Sequence, residues 1–328
     1  MFSIIYYKLF FTLLFCNIIL FITYNKIANK IGLIDKSKKF DNPITVTSSG
    51  IIIYLNIVII FSLNLFFQNN LITNTPNNFI FTFIFLTILV GVSMIDDFKP
   101  IDPKIRLFFQ LICIYFSLTS IPLYVLGFPL KLSIIVCLFI WVYLLNITNF
   151  IDGSDGFLTI NTIFIFSNFI LIDYLFNLDS FSKNLLFLLL PSIIIFLYFN
   201  KPSAKMYMGD SGSVLLGFLF GFLFLELIIF KKINLAITLL IYPILDCSIA
   251  LMRKSLDGKL PWVDTSNYSF LQPTIKKNKN KFFVFYLNIL FNIFNSLFMI
   301  MQILFGWYFI FLNILLAISV LLIYEKKN

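Results

Sequence analysis

The 328-residue sequence contains no histidine. Histidine-based acid–base or metal chemistry is therefore excluded, and any reaction must use Asp, Asn, Ser, Lys or backbone groups. A bound metal would be held mainly by oxygen atoms, which favours a hard cation such as Mg²⁺. The four cysteines all lie in apolar stretches without paired spacing, so neither a disulfide framework nor a zinc site is indicated.

Charged residues are also scarce. They make up 12% of the chain against 60% hydrophobic residues, with a mean hydropathy of +0.98. So much apolar surface requires a bilayer as solvent, and the long unbroken apolar runs indicate helices. The sequence predicts an all-α, polytopic membrane protein with about 10–11 transmembrane helices in a single domain over residues 1–328. The apolar runs cover residues 2–22, 44–67, 79–95, 105–121, 131–148, 158–174, 185–199, 213–230, 235–252, 282–302 and 305–324.

The charges that are present alternate between the two faces of the membrane. Most of the 24 basic residues fall in one alternate set of loops. By the positive-inside rule these loops are cytoplasmic, which places the amino terminus outside in a multi-pass protein of the inner (cytoplasmic) membrane. Topology thus explains the net charge of +9, and no nucleic-acid partner is expected. All fifteen acidic residues except Asp173, Asp179 and Glu226 fall on the same cytoplasmic side, as expected for a phosphate and metal site.

The third apolar run ends in GVSMIDDFKPIDPKIR, with adjacent aspartates at 96 and 97. On a helix, Asp96 and Asp97 point about 100° apart, so they would serve different partners. The alternative is a polar helix cap in which Lys99 and Lys104 are membrane anchors.

The fifth run continues into NITNFIDGSDGF. A spacing of three would align four oxygen-bearing side chains on one helical face, those of Asn146, Asn149, Asp152 and Asp155. The two glycines would let the backbone approach a ligand closely. The alternative is a simple helix terminator.

The eighth run is preceded by KPSAKMYMGDSGSVLLGF, which includes Lys205. Residues 210–213 lie where a helix begins, so their N–H groups are candidates for holding an anion such as a pyrophosphate. The alternative is an ordinary N-cap by Asp or Ser. Further along, Asp246 lies inside the membrane near the same face, where a charge is costly and should face a polar cavity or a partner.

Taken together, these motifs resemble the bacterial polyprenyl-phosphate N-acetylhexosamine-1-phosphate transferases. MIDDFKPIDPKIR is similar to the aspartate-pair loop of that family, NITNFIDGSDGF to its NxxNxxDGxDG stretch and KMYMGDSGSVLLG to its MGDxGS loop. The resemblance implies that an N-acetyl-sugar 1-phosphate is transferred from a UDP-sugar to polyprenyl phosphate, with release of UMP.

The resemblance also implies roles for individual residues. Asn149 and Asp210 would bind Mg²⁺, and Asp96 and Asp97 would be catalytic, attending the polyprenyl phosphate. Asp152 and Asp155 would help to bind the nucleotide sugar and shape the metal site. The further candidates for substrate binding are Asn146, Lys99, Lys104, Lys205, Asp246, Ser266 and Ser269. The implied partners are polyprenyl phosphate, a UDP-N-acetyl sugar and the membrane, and a homodimer is left open.

The resemblance has two departures. The first cytoplasmic segment, GLIDKSKKFDNPITVTSSG, keeps Asp35 and Pro43 but lacks the family's Asn, Arg and His after the aspartate and most of its glycines. Many family members carry two histidines in the last long cytoplasmic loop, where WVDTSNYSFLQ offers Ser266 and Ser269. Serine does not reproduce the charge of an imidazolium. An alternative is therefore a catalytically impaired relative that binds lipid phosphate or acts as a scaffold. A transporter with Asp246 and Glu226 on its substrate pathway is a third hypothesis.

Overall fold

The computed structural model describes residues 4–34, 45–66, 79–258, 260, 268–275 and 281–326. These residues form helices joined by short turns. The helices are α1 (Ile4–Ile31), α2 (Gly50–Phe66), α3 (Phe79–Phe98), α4 (Pro103–Ser117), α5 (Leu130–Ile151), α6 (Phe157–Phe176), α7 (Phe181–Asn200), α8 (Asp210–Ile229), α9 (Ile233–Leu239), α10 (Ile241–Leu256), α11 (Gln272–Ile275), α12 (Lys281–Phe305) and α13 (Ile310–Glu325).

Within the described ranges, eight helices are long and apolar enough to cross a membrane, or nine if α9 and α10 form one bent span. The α2 helix is a shorter apolar helix of 17 residues. The prediction of an all-α, multi-pass membrane protein is therefore confirmed. Each of the eleven predicted runs has a helical counterpart, although α4, with 15 residues, is shorter than a typical span.

The ninth predicted run, 235–252, is broken. The α9 and α10 helices meet at Leu240 with a bend of 71°. Pro243 lies in the first turn of α10, and a proline ring has no N–H to donate and clashes with the carbonyl four residues earlier. Continuous apolar character hid this break, because hydropathy carries no information about backbone hydrogen bonding.

The α8 helix lies at the centre of the bundle and packs closely against α5. At Gly217 an added Cβ would lie 2.7 Å from the carbonyl oxygen of Leu145, so only glycine permits this approach. The Trp141 indole N–H of α5 donates to the Phe218 carbonyl at 2.9 Å. These contacts fix the register of the two helices, and with it the relative position of their polar ends.

The start of α8 is also joined to the start of α2. Val46 and Met206 form a parallel bridge, and the Gly50 N–H donates to the Met208 carbonyl at 2.9 Å. A Cβ on Gly50 would lie 2.1 Å from the Gly212 Cα, so the two backbones touch at this point. Residues preceding α2 are thereby brought to the end of α8 that begins with Asp210.

Candidate active site

The aspartate pair at the end of α3 serves two different partners. The Asp97 carboxylate accepts the backbone N–H groups of Asp210 at 2.7 Å and Ser211 at 3.2 Å. The Asp96 carboxylate accepts the Ile101 N–H at 2.5 Å and lies 2.6 Å from the Arg106 guanidinium. The divergence expected from helical geometry is therefore confirmed.

Arg106 joins two segments that are remote in sequence. Its Nη1 atom lies 2.6 Å from the Asp96 carboxylate and 2.9 Å from the Asp210 carboxylate. Asp102 caps α4 by accepting the Lys104 N–H at 2.8 Å, and this cap places Arg106 in the first turns of the helix. Sequence reasoning did not single out Arg106. The available signal was composition, because the chain has only two arginines among its 24 basic residues.

The backbone at the start of α8 is already engaged. The N–H groups of Asp210 and Ser211 donate to Asp97, and those of Gly212 and Ser213 donate to the Gly209 carbonyl at 3.1 and 3.0 Å. The prediction that these N–H groups hold a pyrophosphate was therefore wrong. Gly209 has a φ of 74°, and a Cβ there would lie 2.7 Å from the Asp97 carboxylate, so a glycine allows the carboxylate to approach.

Asn149 and Asp210, the expected metal ligands, converge on the first turn of α8. The Ser213 hydroxyl, three residues after Asp210, donates to the Asn149 side-chain oxygen at 2.8 Å. The donor set offered here consists of oxygen atoms, which suits a hard cation. In the described part of the chain no three His, Cys, Asp or Glu residues form a metal-binding group. Such a partial set fits Mg²⁺, which takes one or two carboxylates together with substrate phosphates and water.

Asp152 lies just beyond α5, which ends at Ile151. The expectation of four aligned side chains on one helical face was therefore wrong. Asn146 and Asn149 lie on the helix, whereas Asp152 and Asp155 lie in the glycine-containing turn that follows it. Asp152 nevertheless belongs to the acidic cluster. Burial raises the pKa of its carboxyl well above the usual range, and the nearby carboxylates of Asp210, Asp97 and Asp155 raise it further.

Asp155 connects the turn after α5 to two other elements. Its buried carboxylate accepts the Ala204 N–H at 3.2 Å and lies 3.4 Å from the Lys281 ammonium. The structure thus shows it bracing the loop before α8 and the start of α12. Asn146 lies in α5, one turn before Asn149, and its side-chain amide donates to the Gln110 side-chain oxygen at 2.8 Å.

Comparison with known proteins adds to this geometry. The sequence profile of glycosyl transferase family 4 matches residues 79–228, the segment that holds all three motifs. The matched segment is a little less than half of the chain. The resemblance of the chain to the polyprenyl-phosphate N-acetylhexosamine-1-phosphate transferases is confirmed by the relatives that it matches.

Three curated relatives illustrate the similarity. A phospho-N-acetylmuramoyl-pentapeptide-transferase of Aliarcobacter butzleri is 28% identical over 41% of this chain and 48% of the relative. One of Streptococcus gordonii is 29% identical over 53% of this chain and 57% of the relative. A probable undecaprenyl-phosphate N-acetylglucosaminyl 1-phosphate transferase of Bacillus subtilis is 26% identical over 71% of this chain and 67% of the relative. The chain thus matches about half the length of the first two relatives.

Three lysines expected to bind substrate lie at the same end of the helical bundle. Lys99 follows α3, Lys104 lies in the first turn of α4, and Lys205 precedes the segment that bridges to Val46. All three are exposed. Their placement is compatible with contact to an anionic substrate, and their role stays a prediction.

Asp246 and Ser269 form a second polar cluster. The buried Asp246 carboxylate accepts the Ser269 N–H at 2.9 Å and the Tyr242 hydroxyl at 3.2 Å, so the intramembrane charge has partners. The Ser269 hydroxyl donates to Glu325 at 2.6 Å. Ser269 thus stabilises the turn formed by residues 268–271, hereafter the 268–271 turn. Ser266 lies outside the described residues.

Proposed function

We propose that this chain transfers an N-acetyl-sugar 1-phosphate from a UDP-sugar to a polyprenyl phosphate such as undecaprenyl phosphate. The reaction releases UMP and initiates a lipid-linked glycan of the cell envelope. It takes place at the cytoplasmic face of the inner membrane, where one substrate arrives from water and the other from lipid. The observation that carries the proposal is the convergence of the ends of α3 and α5 with the start of α8 in one acidic cluster.

The chemistry joins a phosphate oxygen of the lipid to the β-phosphorus of the nucleotide sugar. The bond from that phosphorus to the bridging oxygen breaks, and UMP leaves with the oxygen. Phosphoryl transfer depends chiefly on positioning and on neutralising charge. Mg²⁺ held by Asn149 and Asp210 would supply a positive charge to the pyrophosphate oxygens.

The protein side chains of the cluster have distinct tasks in this reaction. Asp97 holds the backbone of Asp210 and is therefore a positioning residue. Arg106 holds the Asp96 and Asp210 carboxylates and limits their mutual repulsion. With Asp97 engaged by two N–H groups, Asp96 is the better candidate for keeping the lipid phosphate deprotonated, since its known partners include only one N–H group and Arg106.

A catalytically impaired relative is the second candidate. Ser269 replaces a family histidine, and its hydroxyl is committed to Glu325. Such a protein would bind lipid phosphate, or serve as a scaffold, without turnover.

The deciding experiment supplies membranes containing the protein with undecaprenyl phosphate, Mg²⁺ and a panel of radiolabelled UDP-N-acetyl sugars. We expect labelled lipid and released UMP in equal amounts with at least one donor, and no labelled lipid after chelation with EDTA. Asp210→Asn should reduce labelling by roughly 100-fold or more. Asp102→Asn is the matched control, because Asn is an equally good N-cap for α4.

Two outcomes would count against the proposal. Absence of labelled lipid with every donor would favour the impaired relative. Labelling that survives Asp210→Asn would remove Asp210 from the reaction.

A further inference from the structure

The 268–271 turn packs against the loop that follows α5. A Cβ on Gly153, in the loop itself, would lie 3.4 Å from the Leu271 side chain. On either side of the loop, the Tyr268 ring lies 5.7 Å from the Phe150 ring of α5, and the Phe270 ring stacks on Phe157 of α6 at 4.6 Å. Phe150 immediately follows Asn149, and Phe157 immediately follows the DGSDG sequence. Any displacement of the turn would therefore be transmitted to the loop that carries Asp152.

Two carboxylates hold this turn from different helices. Asp246 of α10 accepts the Ser269 N–H, and Glu325 of α13 accepts the Ser269 hydroxyl. Arg253 in turn binds Glu325 through two parallel hydrogen bonds of 2.7 and 2.9 Å. One residue of the turn is thus fixed through both its backbone and its side chain.

The pair formed by Arg253 and Glu325 is better suited to positioning than to stability. Their side chains are 41% and 29% exposed, and exposed ion pairs contribute little free energy. The bidentate geometry, however, fixes the carboxylate in orientation as well as distance, which a lysine does not do. Arg253 is one of the two arginines in the chain, and the other, Arg106, also orients carboxylates.

We infer that Glu325 and Arg253 are positioning residues for the UDP-sugar site. They hold the 268–271 turn against the loop after α5, and the hydrogen bond from Ser269 to Glu325 is the contact through which they do so. Many family members have a histidine at the position of Ser269. In this chain the ion pair of Arg253 and Glu325 orders the turn through that serine. The inference rests on the proposed function, in which Asp152 of the loop after α5 helps to bind the UDP-sugar.

Kinetics provide the first test. Glu325→Gln and Arg253→Met should each raise the KM for the UDP-sugar roughly tenfold and leave kcat within about twofold, because a displaced loop weakens donor binding. Arg253→Lys should raise the KM by only about threefold, because an ammonium keeps the charge beside Glu325 but not the bidentate geometry. Asp257→Asn is the control, since it removes an exposed carboxylate at the end of α10, the helix that carries Arg253.

Hydrogen exchange in the membrane-embedded protein provides a readout independent of activity. The amides of residues 268–271 should exchange roughly tenfold faster in Glu325→Gln than in the wild type or Asp257→Asn, because the turn opens more often. Unchanged exchange would overturn the inference, and so would faster exchange with an unchanged KM. If the wild type transfers no sugar phosphate, the proposed function fails, while the exchange result still decides whether this ion pair holds the turn.

Discussion

Two charged clusters lie at opposite ends of α6 and are built differently. At its far end, the fully buried Asp173 accepts the Lys183 ammonium at 2.7 Å and the Ser180 N–H at 2.7 Å. At its near end lies the site cluster, which consists of Asp96, Asp97, Asp152 and Asp210. Within the described ranges, its ion pairs involve one cation, Arg106. In the first cluster Lys183 pairs with Asp173 and also lies 3.7 Å from the exposed Asp179, while the buried Glu226 is close enough to interact with Asp173. In the second, Arg106 is shared by Asp96 and Asp210, and Asp97 and Asp152 add further carboxylates, so the excess of negative charge is larger there.

This difference separates a structural cluster from a functional one. The attraction between a buried carboxylate and a nearby cation offsets part of the cost of desolvating them, and here it joins two helices. Surplus carboxylates raise that cost, because like charges repel in a medium of low dielectric constant. Such an arrangement is advantageous where a further cation and an anionic substrate bind, which is the proposed task of the site cluster.

The largest expected effect comes from replacing one aspartate of each cluster by asparagine. The replacement should lower activity in one cluster and thermal stability in the other. Asp210→Asn should reduce transfer by roughly 100-fold or more while the protein remains folded. Asp173→Asn should lower the apparent Tm by about 5 °C, because breaking a partly buried ion pair costs on the order of 2 kcal/mol. Turnover per folded molecule should stay within about twofold. Transfer assays normalised to folded protein, with Tm measured in detergent, would check both results.

The comparison of these two clusters fails if the two variants give the same signature. A loss of turnover in Asp173→Asn equal to that in Asp210→Asn would show that both clusters act in the reaction.

The next largest effect concerns the cation of the site cluster. Arg106→Met should lower kcat/KM roughly 100-fold, because Asp96 and Asp210 lose the group that orients both of them. Arg106→Lys should lose roughly tenfold, since an ammonium supplies the charge without the planar fork. Steady-state kinetics with both substrates would check the order. Equal activity in the two variants would show that the charge of Arg106 does not matter.

A smaller effect tests how closely the start of α8 must approach α2. A Cβ on Gly212 would lie 2.7 Å from the Gly50 Cα, whereas nothing lies within 4 Å of a Cβ on Gly91 in α3. Gly212→Ala should therefore lower the apparent Tm by roughly 5 to 10 °C and reduce transfer about tenfold, as overpacking costs about 1–3 kcal/mol. Gly91→Ala is the control and should behave as wild type. A harmless Gly212→Ala would show that this contact is not needed.

Much of this architecture could be predicted from the sequence, because a bilayer imposes simple rules. Apolar runs marked the helices, and their alternation placed most acidic residues at one end of the bundle. The divergence of Asp96 and Asp97 followed from the helical period alone. Each of these inferences needs only local information, which is why each agrees with the structure. The cytoplasmic orientation stays a prediction.

The contacts that complete the site could not be predicted, because they join residues far apart in the chain. Arg106 and Asp210 are 104 positions apart, and Ser269 and Glu325 are 56 apart. Nothing local showed that Asp97 caps α8 and thereby uses the N–H groups expected to bind an anion. The break at Leu240 had a local signal in Pro243, which continuous hydropathy outweighed.

The smallest expected effect concerns the hydrogen bond between Ser213 and Asn149, which aligns the two expected metal ligands. Ser213→Ala should raise the Mg²⁺ concentration for half-maximal activity roughly threefold, because a hydrogen bond contributes about 0.5–1.5 kcal/mol. Ser192→Ala is the matched control, since its hydroxyl is equally buried but donates to the Leu189 carbonyl within α7. Magnesium titrations of transfer would distinguish the two. An unchanged requirement in Ser213→Ala would show that Asn149 does not depend on α8 for its position, and the site cluster would then be less preorganised than its contacts indicate.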